Sequence, residues 1–116
     1  MDILRIHKNI AEIVAEDLVI SKVEDGIDLV GNVYYQGFDN LILYEKNIHS
    51  DFFDLSTTMA GEILQKFSNY RIGLAIVGDF DKYQSKSIKD FILESNKLGK
   101  INFVNSKEEA IKALLK

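Results

Sequence analysis

The hydrophobic pattern of the chain is clearest between Asp51 and Phe80. In the predicted helical part of this stretch, apolar residues recur at intervals of three and four positions, which is the spacing of one helix face. A continuous apolar run over residues 74–77 follows, as expected for a parallel strand covered on both faces. The pattern therefore predicts an amphipathic helix, entered through a polar turn, and then a buried strand. The predicted apolar helix face consists of Ala60, Ile63, Phe67 and Tyr70, widened by Met59 and Leu64.

Two short β-rich runs open the chain. Residues 3–7 and 10–15 are separated by Lys8-Asn9, and a two-residue connection that includes an Asn indicates a β-hairpin. Residues 16–20 fit either a continuation of the second strand or a bend.

A helix is predicted after this hairpin, beginning at Ser21. Glu24 stands three residues later and completes a capping box with Ser21, and Gly37 is a natural helix stop. We interpret Gly26 and Gly31, inside this helix, as points of close packing between the helix and the sheet. The predicted inner face of the helix consists of Val23, Ile27, Val30 and Tyr34.

Strands and helices alternate through the rest of the chain. Further strands are predicted at 41–44 and 101–104, and a helix that starts at about Ser85 or Ser87 ends at Gly99. A second capping box, Ser106 with Glu109, opens a last helix. The predicted inward-facing residues are Ile88, Phe91 and Ile92 in the first of these helices and Ala110, Ile111 and Leu114 in the second.

The predicted order of elements is β-β-α-β-α-β-α-β-α. After the opening hairpin every strand is followed by a helix, which requires right-handed crossovers between parallel strands. The sequence therefore predicts a single α/β domain over residues 1–116. Its sheet is five-stranded and mostly parallel, with one antiparallel edge strand.

Composition excludes several classes of function. Eighteen acidic and fourteen basic side chains give a net charge of −4 with no block of bases, so we expect no nucleic-acid partner. The absence of cysteine excludes disulfides and thiolate metal sites and is compatible with a cytoplasmic location. The first residues do not follow the pattern of a signal peptide. No run approaches the roughly 20 apolar residues of a membrane span. We therefore expect a cytoplasmic protein without membrane contact.

Six short segments give the chain its most specific resemblance. They are FFDL at 52–55, AGEILQKF at 60–67, NY at 69–70, AIVGDF at 75–80, DFI at 90–92 and ESN at 94–96. With these segments the chain resembles a small bacterial family known as domain of unknown function 4180, over nearly its whole length. The resemblance implies membership of an uncharacterised family and brings no activity with it.

The order of elements is also similar to that of STAS domains, the anti-sigma-factor antagonists. Those domains carry a phosphorylatable Ser or Thr beside an Asp, at the start of the helix after the third strand. Asp54-Leu55-Ser56-Thr57 falls at that place here, although Leu55 separates the Asp from the Ser and Gly61 comes late. The resemblance implies a STAS-like fold, with Ser56 as a phosphorylation candidate and Thr57 as its substitute.

Polar side chains follow two of the predicted parallel strands, at the end of the sheet where ligands bind in folds of this kind. If the two strands are neighbours, these side chains share one crevice. One interpretation is a ligand or phosphate site; the other is helix capping and turn formation, for which Asp, Ser and Thr are preferred. The ligand-binding candidates are Asp54, Ser56, Thr57, Asp79, Tyr83, Ser85 and Lys86.

Catalytic groups are sparse. His7 and His49 lie in different predicted segments without Cys or Glu at metal-ligand spacing. There is no Gly-rich phosphate loop and no G-x-S-x-G elbow. We therefore predict no catalytic residue, no metal and no cofactor.

Two functional hypotheses follow. The first is a non-enzymatic regulatory or protein-interaction module with an unidentified protein partner. The second is a small-molecule-binding protein or small enzyme that uses a polar crevice at the carboxyl ends of the parallel strands. The apolar pair Phe52-Phe53, in a predicted loop, adds the expectation of a homodimer.

Overall fold

The computed structural model describes residues 1–115 and contains one five-stranded sheet with four α-helices. The strands are β1 (Asp2–His7), β2 (Ile10–Val14), β3 (Asn40–Tyr44), β4 (Gly73–Val77) and β5 (Ile101–Val104). The helices are α1 (Val23–Tyr35), α2 (Met59–Tyr70), α3 (Lys86–Leu98) and α4 (Lys107–Leu114). The predicted element order is therefore confirmed.

The strands lie in the sheet in the order in which they occur in the chain. β1 pairs with β2 antiparallel through the Lys8-Asn9 turn, and a bulge interrupts this pairing between Arg5 and His7. All other pairs are parallel, and Leu41 of β3 stands opposite Leu74 of β4. The mostly parallel sheet with one antiparallel edge strand is thus confirmed.

Helices cover the two faces of the sheet unequally. Leu74 and Ile76 of β4 face the larger core, which is shared with α1, α2 and α3. Ala75 and Val77 face the smaller core, where Ala110 of α4 is buried. This alternation follows from the period of two in a strand, and it explains why β4 is apolar at every position from 74 to 77.

The start of α1 corrects one prediction. The helix begins at Val23 with Lys22 at its N-cap, and Ser21 is not the cap. The carboxylate of Asp25, not that of Glu24, accepts the backbone N–H groups of Ser21 and Lys22 at 3.0 and 3.3 Å. The register of the helix is shifted accordingly, and its buried residues are Gly26, Leu29, Val30 and Val33. Tyr34, which the sequence assigned to the inner face, is exposed, and so is Tyr70, which the sequence assigned to the apolar face of α2.

The two glycines of α1 have different surroundings, so the common interpretation of them was wrong. A Cβ on Gly26 would lie 2.6 Å from the side chain of Ile63 in α2, which makes Gly26 a contact between two helices and not between helix and sheet. For Gly31, no atom of the described chain lies within 4 Å of such a Cβ, apart from its chain neighbours and the nearby backbone of α1.

The connection from β3 to α2 contains three short 3-10 turns, Glu45–Asn47, Ser50–Phe53 and Leu55–Thr57. These turns bury both Phe52 and Phe53, which are 2% and 5% exposed, inside the larger core. The pair therefore finds its cover within its own chain, and the reason given for a homodimer is withdrawn.

The remaining boundaries agree with the sequence. Ser85 caps α3 and Gly99 ends it in a left-handed conformation, and Ser106 caps α4. Residues 16–20 form a bend that ends in an isolated parallel bridge between Ile20 and Ile48. Over residues 1–115, no helix is both long and apolar enough to cross a bilayer.

Candidate functional site

The candidate residues lie at one edge of the sheet, because β3 and β4 are neighbours and both run toward it. We call this edge the carboxyl edge and define it by residues 1–2, 14–25, 44–62, 77–87 and 104–109. The opposite edge, the amino edge, consists of residues 7–9, 34–40, 69–73, 97–100 and 112–115.

Asp54 and Ser56 are bonded to each other. The Oδ1 atom of Asp54 accepts a hydrogen bond from the Ser56 hydroxyl at 2.7 Å and from the Ser56 backbone N–H at 3.1 Å. The hydroxyl bond, followed by the backbone bond, holds the pKa of the Asp54 carboxyl below its ordinary value. Asp54 thus caps the 3-10 turn Leu55–Thr57 as a carboxylate.

Thr57 is also engaged within its loop. Its hydroxyl lies 2.7 Å from the backbone oxygen of Asp51 and 2.9 Å from that of Asp54, and it accepts the N–H of Met59 at 3.3 Å. α2 begins only at Met59, after Thr58 in a left-handed conformation at φ 63°. Ser56 therefore precedes the first residue of α2 by three positions and does not stand at its N-terminus.

On the β4 side, the candidates complete turns and helix ends. Asp79 accepts the N–H of Asp81 at 3.2 Å, and Ser85 accepts the N–H of Ile88 at 3.2 Å. Lys86 forms an ion pair with Asp90 at 2.6 Å, and the bond to Asp90 raises the pKa of the Lys86 ammonium. Asp90, four positions further along α3, is therefore the acidic partner of Lys86.

Tyr83 is the candidate that reaches across to the next strand. Its hydroxyl donates a hydrogen bond to Oε2 of Glu45, the residue directly after β3. Lys82 pairs with the same oxygen at 2.8 Å, and the Glu45 side chain is only 11% exposed. Burial and the bond to Glu45 raise the pKa of the Tyr83 hydroxyl above its ordinary value. The Tyr83 ring stacks on Phe53 with centroids 4.9 Å apart.

Sequence reasoning missed Glu45 and Lys82. Glu45 comes directly after the predicted strand 41–44, one position closer to its strand than Asp79 is to β4. A signal was therefore available: an acid at the carboxyl end of a strand adjacent to the candidate strand.

A second group of the same composition was also missed. Glu12 of β2 is buried, and its carboxylate accepts the Tyr44 hydroxyl at 2.6 Å and Lys107 of α4 at 3.1 Å. Burial, followed by the bond to Glu12, raises the pKa of the Tyr44 hydroxyl. Glu12 is the one charged residue in the run IAEIV of β2, which is the signal that could have identified it.

The similarity of this chain to known proteins extends over nearly its whole length and is not confined to these two groups. The family model described as Domain of unknown function (DUF4180) matches residues 5–114. The chain belongs to this family. No curated protein and no solved structure matches the chain.

The carboxyl edge of this family member is strongly acidic. Within its ranges there are thirteen acids and five bases. The acids are Asp2, Glu16, Asp17, Glu24, Asp25, Glu45, Asp51, Asp54, Glu62, Asp79, Asp81, Glu108 and Glu109; the bases are Lys22, Lys46, Lys82, Lys86 and Lys107. An anion such as a phosphate would meet repulsion at this edge.

Two surface depressions of the described chain are lined by other residues and not by the candidates. The larger, of about 480 Å³, is lined by Met1 and residues 15–19, and the smaller, of about 150 Å³, by Met1, Val19 and side chains of α1. Among residues 1–115, no group of three or more His, Cys, Asp or Glu side chains is arranged to hold a metal ion.

Proposed function

We propose that the chain is a non-enzymatic regulatory or protein-interaction module with a STAS-like fold, acting in the cytoplasm. One observation carries this proposal. The candidate side chains Asp54, Ser56, Thr57, Asp79 and Ser85 direct polar atoms into hydrogen bonds within their own loops and helix ends. Such bonds build a defined loop surface at the carboxyl edge, which is suited to recognition of another macromolecule.

The charge of the carboxyl edge indicates the chemistry of the partner. Thirteen acids within this edge favour a partner with a basic surface. Opposite charges accelerate the encounter and exclude partners of the wrong sign, while the ordered loops supply shape. The absence of cysteine is compatible with the proposed cytoplasmic location.

The test is crosslinking of the protein in lysate of its native host, followed by identification of the crosslinked residues. We expect a protein partner on the loops that carry Asp54 and Asp79, and loss of the crosslink in an Asp54→Lys/Asp79→Lys variant. Asp28→Lys, on the exposed side of α1, is the matched control and should retain the crosslink. Turnover of a metabolite that disappears in a folded Asp79→Ala variant would instead refute the proposal.

A second candidate function rests on the convergence of Tyr83, Lys82 and Glu45. This group combines an acid, an ammonium and a hydroxyl at the carboxyl edge, as a small-molecule-binding protein or small enzyme requires. Ligand binding or turnover that is lost in Tyr83→Phe, but retained in Tyr34→Phe, would support it. Tyr34 is the control because it lies at the amino edge.

A further inference from the structure

The amino edge has the opposite charge to the carboxyl edge. Within its ranges there are five bases and one acid. The bases are Lys8, Arg71, Lys97, Lys100 and Lys112, and the acid is Asp39. A molecule with a net charge of −4 thus carries one edge with a marked excess of positive charge.

Large apolar side chains are exposed at the same amino edge. Tyr35, the last residue of α1, is 91% exposed, and Leu98, the last residue of α3, is 80% exposed. Tyr34 and Tyr70 are 54% and 40% exposed, and their rings touch between α1 and α2 with centroids 4.9 Å apart. Tyrosine and arginine are the residue types that anchor protein–protein interfaces, and here Arg71 directly follows Tyr70.

Helix dipoles explain only part of this arrangement. All four helices end at the amino edge, where bases offset the negative helix ends, as Lys97 and Lys112 do in α3 and α4. α1 and α2 have no base in the last turn of the described helix, and they carry tyrosines there instead. Exposed tyrosines contribute nothing to a helix dipole, so the dipole does not account for them.

We propose that the amino edge of one copy of this chain binds the acidic carboxyl edge of a second copy, head to tail. Charge decides the orientation: two amino edges repel each other, two carboxyl edges repel more strongly, and only unlike edges attract. The proposal rests on the proposed function in treating the chain as an interaction module. It adds the amino edge as a binding surface and a second copy of the chain as its partner.

This contact differs from an isologous dimer. Each copy contributes a different surface, so the assembly grows into a ring or an open chain. The ionic part of the contact is screened by salt, because the Debye length falls from about 30 Å at 0.01 M to about 3 Å at 1 M. The tyrosines and Leu98 supply apolar area that salt does not weaken.

The experiment is sedimentation of the full chain over a range of concentrations at low and high salt. We expect species heavier than the 13.2 kDa monomer at 0.01 M salt, and an association constant at least about tenfold lower at 1 M salt. An amino-edge variant, Tyr35→Ser/Arg71→Glu, and a carboxyl-edge variant, Asp81→Lys/Glu108→Lys, should each be monomeric alone. Mixed in equal amounts, they should form a heterodimer through the one native edge that each retains.

The control variant lies on α3, outside both edges. Leu93→Ser/Lys89→Glu, on the exposed side of α3, should associate like the native chain, and urea unfolding checks that every variant is folded. Self-association of either edge variant alone would show an isologous contact and overturn the inference. A native chain that stays monomeric would overturn it too. If that monomer binds a labelled oligoglutamate peptide through Tyr35 and Arg71, the amino edge serves a different acidic partner. These outcomes leave the proposed function standing, because its crosslinking test concerns a different protein.

Discussion

The side chain of Glu45 lies directly over Gly78. A Cβ added to Gly78 would come within 2.6 Å of the Glu45 Cβ, closer than real Cβ contacts allow. From this position Oε1 of Glu45 accepts the N–H of Asp79 at 3.3 Å. Oε2 accepts the Tyr83 hydroxyl and pairs with the Lys82 ammonium. Gly78 therefore leaves space at the end of β4 that the Glu45 side chain fills.

The first prediction concerns this contact. Gly78→Ala should lower the free energy of unfolding by about 1–3 kcal/mol, the usual cost of overpacking, because Glu45 must move and lose its bonds to Asp79 and Tyr83. Gly61→Ala, in α2, is the control, since an added Cβ there meets no atom of the described chain within 4 Å beyond its chain neighbours and the nearby backbone of α2. Urea unfolding measures both. Equal stability of the two variants would contradict the contact.

A second pair of glycines tests the packing of α1 on α2. Gly26→Ala should destabilise the protein by about 1–3 kcal/mol because the new methyl group meets the buried Ile63 side chain at 2.6–2.9 Å. Gly31→Ala, in the same helix, should stabilise it by about 0.5–1 kcal/mol through the lower entropy of the unfolded chain. Thermal or urea unfolding gives both values. Two changes of the same sign would refute the assigned contact.

The third prediction concerns the buried carboxylate of Glu12. Lys107→Met keeps an unbranched apolar stem but removes the ion pair at 3.1 Å, so Glu12 keeps only Tyr44 as a partner. We expect a loss of about 1–3 kcal/mol in the free energy of unfolding. Lys112→Met, on the exposed side of α4, should change it by less than about 0.5 kcal/mol. A small effect of Lys107→Met would show that Tyr44 alone satisfies Glu12.

The fourth prediction concerns the Asp54 carboxyl, whose pKa is lowered in the folded chain. A lowered folded pKa means that its contribution to stability is present above the ordinary pKa of about 3.9, and is lost as pH falls through the folded pKa. Ser56→Ala removes the hydroxyl bond and leaves the backbone bond, so the Asp54 pKa should rise partway toward its ordinary value. NMR titration of the carboxyl checks this, with Thr57→Ala as the control. An unchanged Asp54 pKa would contradict the assigned cause.

The fifth prediction concerns Ser56 as a modification site. A phosphate there would add about −1.5 to −2 charge beside the ionised Asp54, and Ser56 lies short of the N-terminus of α2 that would favour it. We therefore expect Ser56 to carry no phosphate. Intact-mass spectrometry of protein from its native host, in growing and stressed cells, measures this. An added phosphate mapped to Ser56 would contradict this prediction and identify Ser56 as a modification site.

The sequence predicted the elements well wherever one periodicity was unambiguous. The apolar run over 74–77 identified β4, and Ser85, Gly99 and Ser106 identified helix ends, because caps depend on bonds between residues close in the chain. The start of α1 failed because Asp25 and Glu24 are equally suited to capping by residue type. Only the packing of Leu29 and Val33 selects the register of that helix.

The candidate site divides in the same way. The interpretation of the candidates as helix caps and turn residues predicts local bonds such as those of Asp54 with Ser56 and of Ser85 with Ile88. The sequence did not predict the bond of Glu45 with Tyr83, 38 positions apart, or that of Glu12 with Lys107, 95 positions apart. Such pairs exist only because the sheet brings distant segments together.

The sequence by itself determined that this chain folds as an alternating α/β protein with capped helices, since periodicity and capping are local properties. Tertiary structure alone decided which side chains lie together. It buried Phe52 and Phe53, placed Glu45 over Gly78, and sorted acids and bases onto opposite edges of the sheet. The physical reason is that strand order and helix placement fix these neighbours, and they depend on the burial of the whole apolar surface, which no single stretch of sequence specifies.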